Sequence, residues 1–533
     1  MSAKAARRRT RPEAVANGDR HSTQPNREQL QRENERLRRE NEELHREVAE
    51  RDREIAEREK QIADAERQIA DAERQIADLA RQLALHKRNS TNSSKPPSSD
   101  GLAGEQRPRG RKHKSKRKPG GQPGHPGHHR ELIPTAEVSA IEVVLPQQCR
   151  HCGNHLPQKP SRVSIDGESR RHQVTEIPAV KAHITEYQFP NVVCGSCGKA
   201  TRAPLPEEIA GRFGAQLTAL IAYWTVVCRL PRRLVEAMLA DVLGIEISLG
   251  STQKAWEEIS QAVEQPVCEL QAQLPREAVL NVDATGWRTN GDKRWIWALV
   301  ANQFVFYAVA SNRSAEVLVS LLGAVFRGIL CSDRWVVYLS YHSGRMQLCW
   351  AHLKRNILGI AESARSPSAR QFCRDALAIV ARLFRLWHRF RGQPRDRRGN
   401  PQPLDRRQLL EKSIPLQKKL FALAEAHLDD ADREVRNLAT ALFIHCERLF
   451  TFLEAEGVEP TNNVVERVLR TAVQWRKISF GNRSRNGEIA TGRLLTVTQT
   501  CKRQRRHVLG YLTEALCCHR RHAAAPSLLP QQS

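Results

Sequence analysis

Two stretches decide the fold. They are Ala278-Val-Leu-Asn-Val-Asp283, running on into Ala-Thr-Gly-Trp287, and Gly328-Ile-Leu-Cys-Ser-Asp333. Each is a short apolar run that closes on an aspartate, the pattern of a buried strand with an acid at its end. Between them lie two more strand-like runs, Arg294-Trp-Ile-Trp-Ala-Leu-Val300 and Phe304-Val-Phe-Tyr-Ala-Val309, and a helical stretch from Ser314 to Leu322. Taken singly, each acid also has a purely structural reading. Asp283 can be the turn former of Asp-Ala-Thr-Gly, and Asp333 can pair with Arg334.

A third acid follows on a helix. Glu459-Pro-Thr-Asn-Asn-Val-Val-Glu466-Arg-Val-Leu-Arg470 begins with a proline and polar caps, and Glu466, Arg470, Val473 and Lys477 recur at helical spacing along one face. The alternative for Glu466 is a capping box with Asn463. Three strands, a helix and a fourth strand match the start of a ribonuclease-H-like fold, in which strands one and four lie side by side, each with an acid, and a third acid arrives on a later helix. The spacer from Asp333 to Glu466 is much longer than that fold requires. Gln371–Phe390 and Ile414–Glu454 read as helices split by the basic, Pro-containing Arg391–Arg407. The expectation is a catalytic domain over 276–345 and 459–515, interrupted by a helical insertion over 346–458, with a disordered tail over 516–533.

Working towards the N-terminus, residues 206–275 read as helices. Leu217–Val227 is apolar, Leu230–Leu243 is amphipathic and ends at Gly244, and Ser248–Thr252 offers caps for a helix carrying Trp256. That outline fits a helix-turn-helix or any helical hairpin. Residues 131–205 hold Cys149-Arg-His-Cys152 and Cys194-Gly-Ser-Cys197, two knuckles each followed by Gly, which suits a closed, structural four-thiolate zinc site. The alternation over Ile184–Phe189 predicts a strand. Residues 89–130 form a Pro/Gly/Ser-rich basic linker in which Arg109, Arg111 and Lys112 are candidate DNA contacts, Arg109-Gly-Arg111 being short enough to enter a minor groove. The other reading of that block is a solubilising linker.

Residues 26–88 carry heptads. The a positions are Asn34, Asn41, Val48, Ile55, Ile62, Ile69, Ile76 and Leu83; the d positions are Leu30, Leu37, Leu44, Arg51, Arg58, Ala65, Ala72 and Leu79. Ile at a with two Asn predicts a parallel coiled-coil dimer roughly 90 Å long at 1.5 Å per residue. Arg51 and Arg58 weaken the seam and leave a solvated single helix as the alternative. Residues 1–25 are polar and basic, and read as a disordered tail.

Composition agrees with a nucleic-acid partner. The chain has 533 residues and 85 Lys+Arg against 59 Asp+Glu, a net charge of +26. At about 100–200 residues per domain this is roughly three or four units. The first residues are basic with no apolar stretch behind them, unlike a secretory signal, and the longest apolar run, Ala215–Cys228, is too short to span a bilayer. Thirteen Cys, an odd number with several in apolar segments, point to a reducing compartment. A cytoplasmic protein, without membrane contact, is expected.

Seven strings, read in order, resemble one family. They are Asn92-Ser-Ser-Lys-Pro-Pro-Ser-Ser-Asp100, Gly120-Gly-Gln-Pro-Gly-His-Pro-Gly-His128, Asp283-Ala-Thr-Gly-Trp287, Ser332-Asp-Arg-Trp335, Cys349-Trp-Ala-His-Leu-Lys-Arg355, Thr461-Asn-Asn-Val-Val-Glu-Arg467 and Arg476-Lys477. Together they resemble the transposases of bacterial insertion sequence family sixty-six. The resemblance implies a multidomain α/β chain whose ribonuclease-H-like domain uses three acids. Those acids are Asp283, Asp333 and Glu466, holding two Mg²⁺ ions for cleavage at element ends and joining of 3′-hydroxyls to target DNA. It further implies Zn²⁺ on Cys149, Cys152, Cys194 and Cys197, contacts to DNA from Arg470, Arg476 and Lys477, an oligomer through residues 26–88, and small companion proteins of the same element. Thr461, where many members have Asp, and Ala284 after Asp283 depart from the pattern without removing an acid. A catalytically silent, DNA-binding derivative acting as a repressor is the alternative, and a nuclease without strand transfer is a third.

Overall fold

The computed structural model describes residues 27–86, 131–209, 211, 213–364, 366–392 and 402–529. The basic residues Arg109, Arg111 and Lys112 and the tail over 1–25 lie outside them. The chain divides into two units, residues 1–87 and 88–533.

The described residues of the first unit form one helix, α1 (Arg27–His86), of 60 residues. No Gly or Pro interrupts it, and i,i+3 pairs such as Arg67–Asp64 and Arg74–Asp71 line its flank. Its heptad residues, Leu37 and Ile62 among them, face solvent.

In the second unit, residues 131–209 have little regular secondary structure. Their one hairpin pairs β1 (Asn191–Val193) with β2 (Ala200–Arg202). The strand expected over Ile184–Phe189 does not form. Ile184 and Tyr187 are exposed and no strand pairs with the segment, so its alternation has no apolar layer to face. Four helices follow: α2 (Ala215–Val226), α3 (Arg232–Leu243), α4 (Leu249–Ala262) and α5 (Glu264–Gln273). Gly244, at φ 63°, terminates α3, and the Ser248 hydroxyl caps α4 by accepting from Ser251 N–H. Helix α4 buries Trp256 and Ile259, and it turns Lys254, Glu257 and Gln261 outward.

The chain then builds a five-stranded sheet. Strands β3 (Val279–Thr289), β4 (Asp292–Val300) and β5 (Val305–Ala310) form an antiparallel meander. After α6 (Ala315–Leu322), strand β6 (Ile329–Ser332) returns parallel to β3, and beyond α7 (Val336–Tyr341), β7 (Met346–Leu348) adds parallel to β6, giving the order β5-β4-β3-β6-β7. Because the sheet includes Met346–Leu348, the helical part begins only at α8 (Trp350–Ser363). It continues through α9 (Pro367–Phe390), α10 (Arg406–Glu425), α11 (Arg433–His445) and the short α12 (Thr451–Glu454).

Helix α13 (Asn463–Ser479) lies across β3 and β4, and α14 (Arg485–Arg503) covers the edge strand β5. The cover is hydrogen-bonded: Thr496 Oγ1 accepts from Tyr307 N–H, and Thr500 Oγ1 accepts from Val305 N–H and donates to its carbonyl. The edge is thus closed to other strands. Gly492 allows this approach, since a Cβ there would sit 3.1 Å from the Tyr307 carbonyl oxygen. Helix α15 (Val508–Arg520) follows. The expected disordered tail from 516 is instead built in up to residue 529. Arg520 pairs with Glu258, and Leu528 is buried with its carbonyl taking a hydrogen bond from Gln504. Among the described residues no helix is long and apolar enough to cross a membrane.

Candidate functional site

Asp283 does not end its strand. Strand β3 runs six residues further, to a two-residue turn at Asn290-Gly291, whose φ values of 51° and 88° suit a tight hairpin. Asp283 therefore sits mid-strand, opposite Ala298 of β4, and the turn-former reading is excluded. In the parallel pairing of β3 with β6, Asn281 stands beside Cys331. Continuing that register by two residues sets Asp283 beside Asp333, at the carboxyl end of β6.

Both acids are desolvated. Burial, then the neighbouring Asp333 charge, raises the Asp283 pKa to about 7, against the pull of Arg313 and the Ala284 N–H; Glu466 adds to the rise. Burial also raises Asp333, opposed by the Trp335 N–H and by Arg313. Asp333 Oδ1 accepts that N–H at 3.0 Å. The carboxylates share one guanidinium: Arg313 Nη2 lies 3.2 Å from Asp283 and 4.0 Å from Asp333. Arg313 is held by rings, with Trp295, Trp335 and Tyr338 at 4.9–5.8 Å.

Glu466 reaches this neighbourhood from α13. The capping-box reading fails, because the cap is Asn462 and makes no side-chain cap bond. Asn462 is committed elsewhere: its side chain donates to the Val282 carbonyl at 2.9 Å, one residue before Asp283, and its N–H donates to Cys349 Sγ at 3.1 Å. At the other end of α13, Arg476 donates to the Gly286 carbonyl, and Asn482 accepts from the Trp287 indole at 2.6 Å. The helix is thus fastened to β3 at both ends, which fixes Glu466 relative to Asp283. Arg476 is spent on this fastening, while Arg470 and Lys477 of α13 stand exposed.

Around Glu466 a second group gathers. Arg355 Nη2 lies 2.8 Å from Glu466 Oε1 and 3.3 Å from His352 Nε2, and His352 Nδ1 lies 3.7 Å from the same Oε1. Burial, reinforced by Arg355, Arg334 and Arg313, lowers the His352 pKa to about 3 and keeps the ring neutral. Burial likewise pushes the Cys349 thiol up to about 11.

The family model described as "Transposase IS66 family" matches residues 210–489, from before α2 into α14. The chain belongs to the IS66 transposase family. The match contains Asp283, Asp333, Glu466, Arg313 and Arg355, and stops short of the cysteine knuckles. Residues 19–131 match a family of unknown function, DUF6444. An uncharacterized protein, y4qI, of Sinorhizobium fredii (strain NBRC 101917 / NGR234) is 28% identical over 245 residues, covering 42% of this chain and 43% of that protein.

The two cysteine knuckles share one design. Cys149–Cys152 is the turn of a small antiparallel bridge, Gln148 to His155, and Cys194–Cys197 is the turn between β1 and β2. Gly153 and Gly198 take positive φ, and each N–H bonds back to the carbonyl of its first cysteine. All four cysteines are free thiols, with a side-chain hydrogen bond between Cys149 and Cys152 and another between Cys194 and Cys197. The four thiols are not gathered into one cluster. Among the described residues, the group of three or more possible ligands within mutual reach is Cys349, His352 and Glu466.

Proposed function

We infer that this transposase cuts DNA at element ends and joins the freed 3′-hydroxyls to target DNA, using Asp283, Asp333 and Glu466. The observation that carries this reading is the pair Asp283 and Asp333, side by side and desolvated, with Glu466 close enough to raise the Asp283 pKa. The sheet order, antiparallel for three strands and then parallel for two, supports a ribonuclease-H-like catalytic domain.

Two crowded, half-buried carboxylates that share Arg313 have raised pKa values despite the arginines around them, and an all-oxygen donor set suits a hard ion. The residues therefore fit Mg²⁺, with Asp283, Asp333 and Glu466 holding two ions. Ions held by these three acids would supply polarisation of the phosphoryl group, a lower pKa for an attacking water and stabilisation of the leaving oxygen. The chain's own part is positional. Asn462 and Arg476 fasten α13 to β3 and so aim Glu466, and Arg313 and Arg355 balance the acids until the scissile phosphate arrives. Arg470 and Lys477 neutralise backbone phosphates. Water first attacks phosphorus at the element end and displaces a 3′-hydroxyl. That hydroxyl then attacks a target phosphodiester, so one phosphodiester replaces another and no nucleoside triphosphate is consumed.

Further parts of the reading extend beyond the sheet. Residues 26–88 pair two chains as a coiled coil, bringing two element ends together. The knuckles close on one Zn²⁺ through Cys149, Cys152, Cys194 and Cys197, supported by their matching turns, and this requires the two turns to approach each other. Basic residues 107–118 add contacts to DNA that do not read sequence, small companion proteins of the element assist, and the work is done in the cytoplasm on nucleoid DNA.

The test is cleavage and strand transfer on labelled element-end DNA with Mg²⁺, comparing the native chain with Asp333→Ala. We expect end binding in both and chemistry only in the native chain. End binding without cleavage in either, with the companion proteins present, would replace this reading by that of a silent DNA-binding derivative.

A further inference from the structure

Strand β7, helix α8 and helix α13 meet where Cys349, His352 and Glu466 bring a sulfur, an imidazole nitrogen and a carboxylate oxygen within 4.8 Å of one another. Cys349 and His352 are buried, and Glu466 is partly so. We propose that these three side chains form a binding site for a zinc-like divalent cation, distinct in chemistry from the carboxylate pair of Asp283 and Asp333.

The His352–Glu466 spacing is that of two ligands around one ion. Bonds of roughly 2.0–2.3 Å to a tetrahedral ion place ligand atoms about 3.3–3.8 Å apart. His352 Nδ1 lies 3.7 Å from Glu466 Oε1, too far for a good hydrogen bond and suited to a shared cation. The sulfur is prepared as well. Cys349 sits at the start of α8, where the N–H groups of Ala351 and His352 bond to it, and the Asn462 N–H reaches Sγ at 3.1 Å from the start of α13. N–H groups of this kind surround metal-bound cysteines, while burial keeps the sulfur a thiol in the absence of a cation.

The donor set then selects the ion. Mg²⁺ takes oxygen ligands and leaves a thiol and an imidazole unused. One sulfur, one nitrogen and one oxygen suit Zn²⁺, and three protein ligands leave a fourth position for water or a phosphate oxygen. Positive charge already stands at this place, since Arg355 contacts both His352 and Glu466. A cation and Arg355 therefore compete for the Glu466 carboxylate, and an ion here would draw on the same acid that serves the carboxylate pair. The site rests on its own donor geometry and not on the catalytic reading.

Co²⁺ is the probe, because a thiolate ligand gives it a near-ultraviolet charge-transfer band and a tetrahedral site gives it visible bands. The full-length, reduced chain is titrated, and bound equivalents and band intensity are counted. The knuckle cysteines contribute their own equivalents, so the comparison is with Cys349→Ser and His352→Ala, checked for native circular dichroism without metal. Each variant should lose one equivalent, and Cys349→Ser should also lose one thiolate contribution, while the knuckle signal persists. Arg355→Met, which removes the competing charge, should bind that equivalent on the order of tenfold more tightly. Equal metal counts in the native chain and both ligand variants, or an unchanged affinity in Arg355→Met, would overturn the site and leave the cluster as a set of hydrogen bonds and ion pairs around Glu466. DNA cleavage plays no part in this readout, so loss of the catalytic reading would leave the cobalt count where it is.

Discussion

Helix α1 and strand β3 use the same kinds of side chain for opposite ends. In β3, Leu280 and Val282 are 0% exposed, walled by β4, β6 and the helices above. In α1, Leu37 and Ile62 are 53% and 59% exposed, although their heptad spacing is as regular as any pattern in the chain. The difference lies in what the chain itself supplies. The sheet finds its covering layers within one molecule, whereas a 60-residue helix with one apolar stripe and charge elsewhere offers no second stripe to itself. Its periodicity is that of a coiled-coil seam, which is the basis of the pairing proposed above.

The comparison can be broken at several points. The largest effect is expected at the acids, where Asp333→Ala should lower strand transfer by about a thousandfold or more without weakening end binding. Retained activity would remove Asp333 from the reacting group. Next comes the contrast itself. Leu280→Ala should lower unfolding free energy by about 2–5 kcal/mol in urea, and Ile62→Ala should leave the core alone but weaken association about tenfold to a hundredfold in sedimentation. If Ile62→Ala changed neither quantity, α1 would be a solvated single helix. Asn462→Ala should cost about 1–3 kcal/mol, because the Val282 carbonyl would stay buried without a partner. Activity should fall further than stability alone explains if Asn462 aims Glu466. The smallest effect is expected from Lys477→Ala, which should reduce the salt dependence of DNA binding by about one counterion. Arg476→Ala should instead show up in the melting temperature, since its partner is the Gly286 carbonyl.

Much of the sheet was legible because its strands are near-continuous apolar runs, and the three acids could be placed in order by residue type alone. The strand runs on past Asp283 for a physical reason. Asp-Ala-Thr-Gly has the composition of a turn, but pairing with β4 carries the strand through it to Thr289. Asn463 likewise offered the usual capping signal, yet the residue before it became the cap and gave its side chain to β3. Arg355 was visible within Cys349–Arg355, but its partner Glu466 lies on a distant helix. Arg313 carries no local signal at all. Its role depends on three rings and two acids brought from the sheet and from the start of α7, an arrangement that only the folded domain creates. The Ile184–Phe189 alternation shows the reverse case, a strand pattern without a partner strand.

The helical insertion between β7 and α13 also sets an order in time. Asp283 and Asp333 leave the ribosome early, and Glu466, with the helix that fastens it to β3, follows roughly 130 residues behind Asp333, about 7–26 s later at usual rates of synthesis. During that interval the nascent sheet has neither its third acid nor the cover that α13 and α14 give it. A chain broken off within the insertion would carry two acids and an open edge at β5, and so be prone to aggregate without being able to cut.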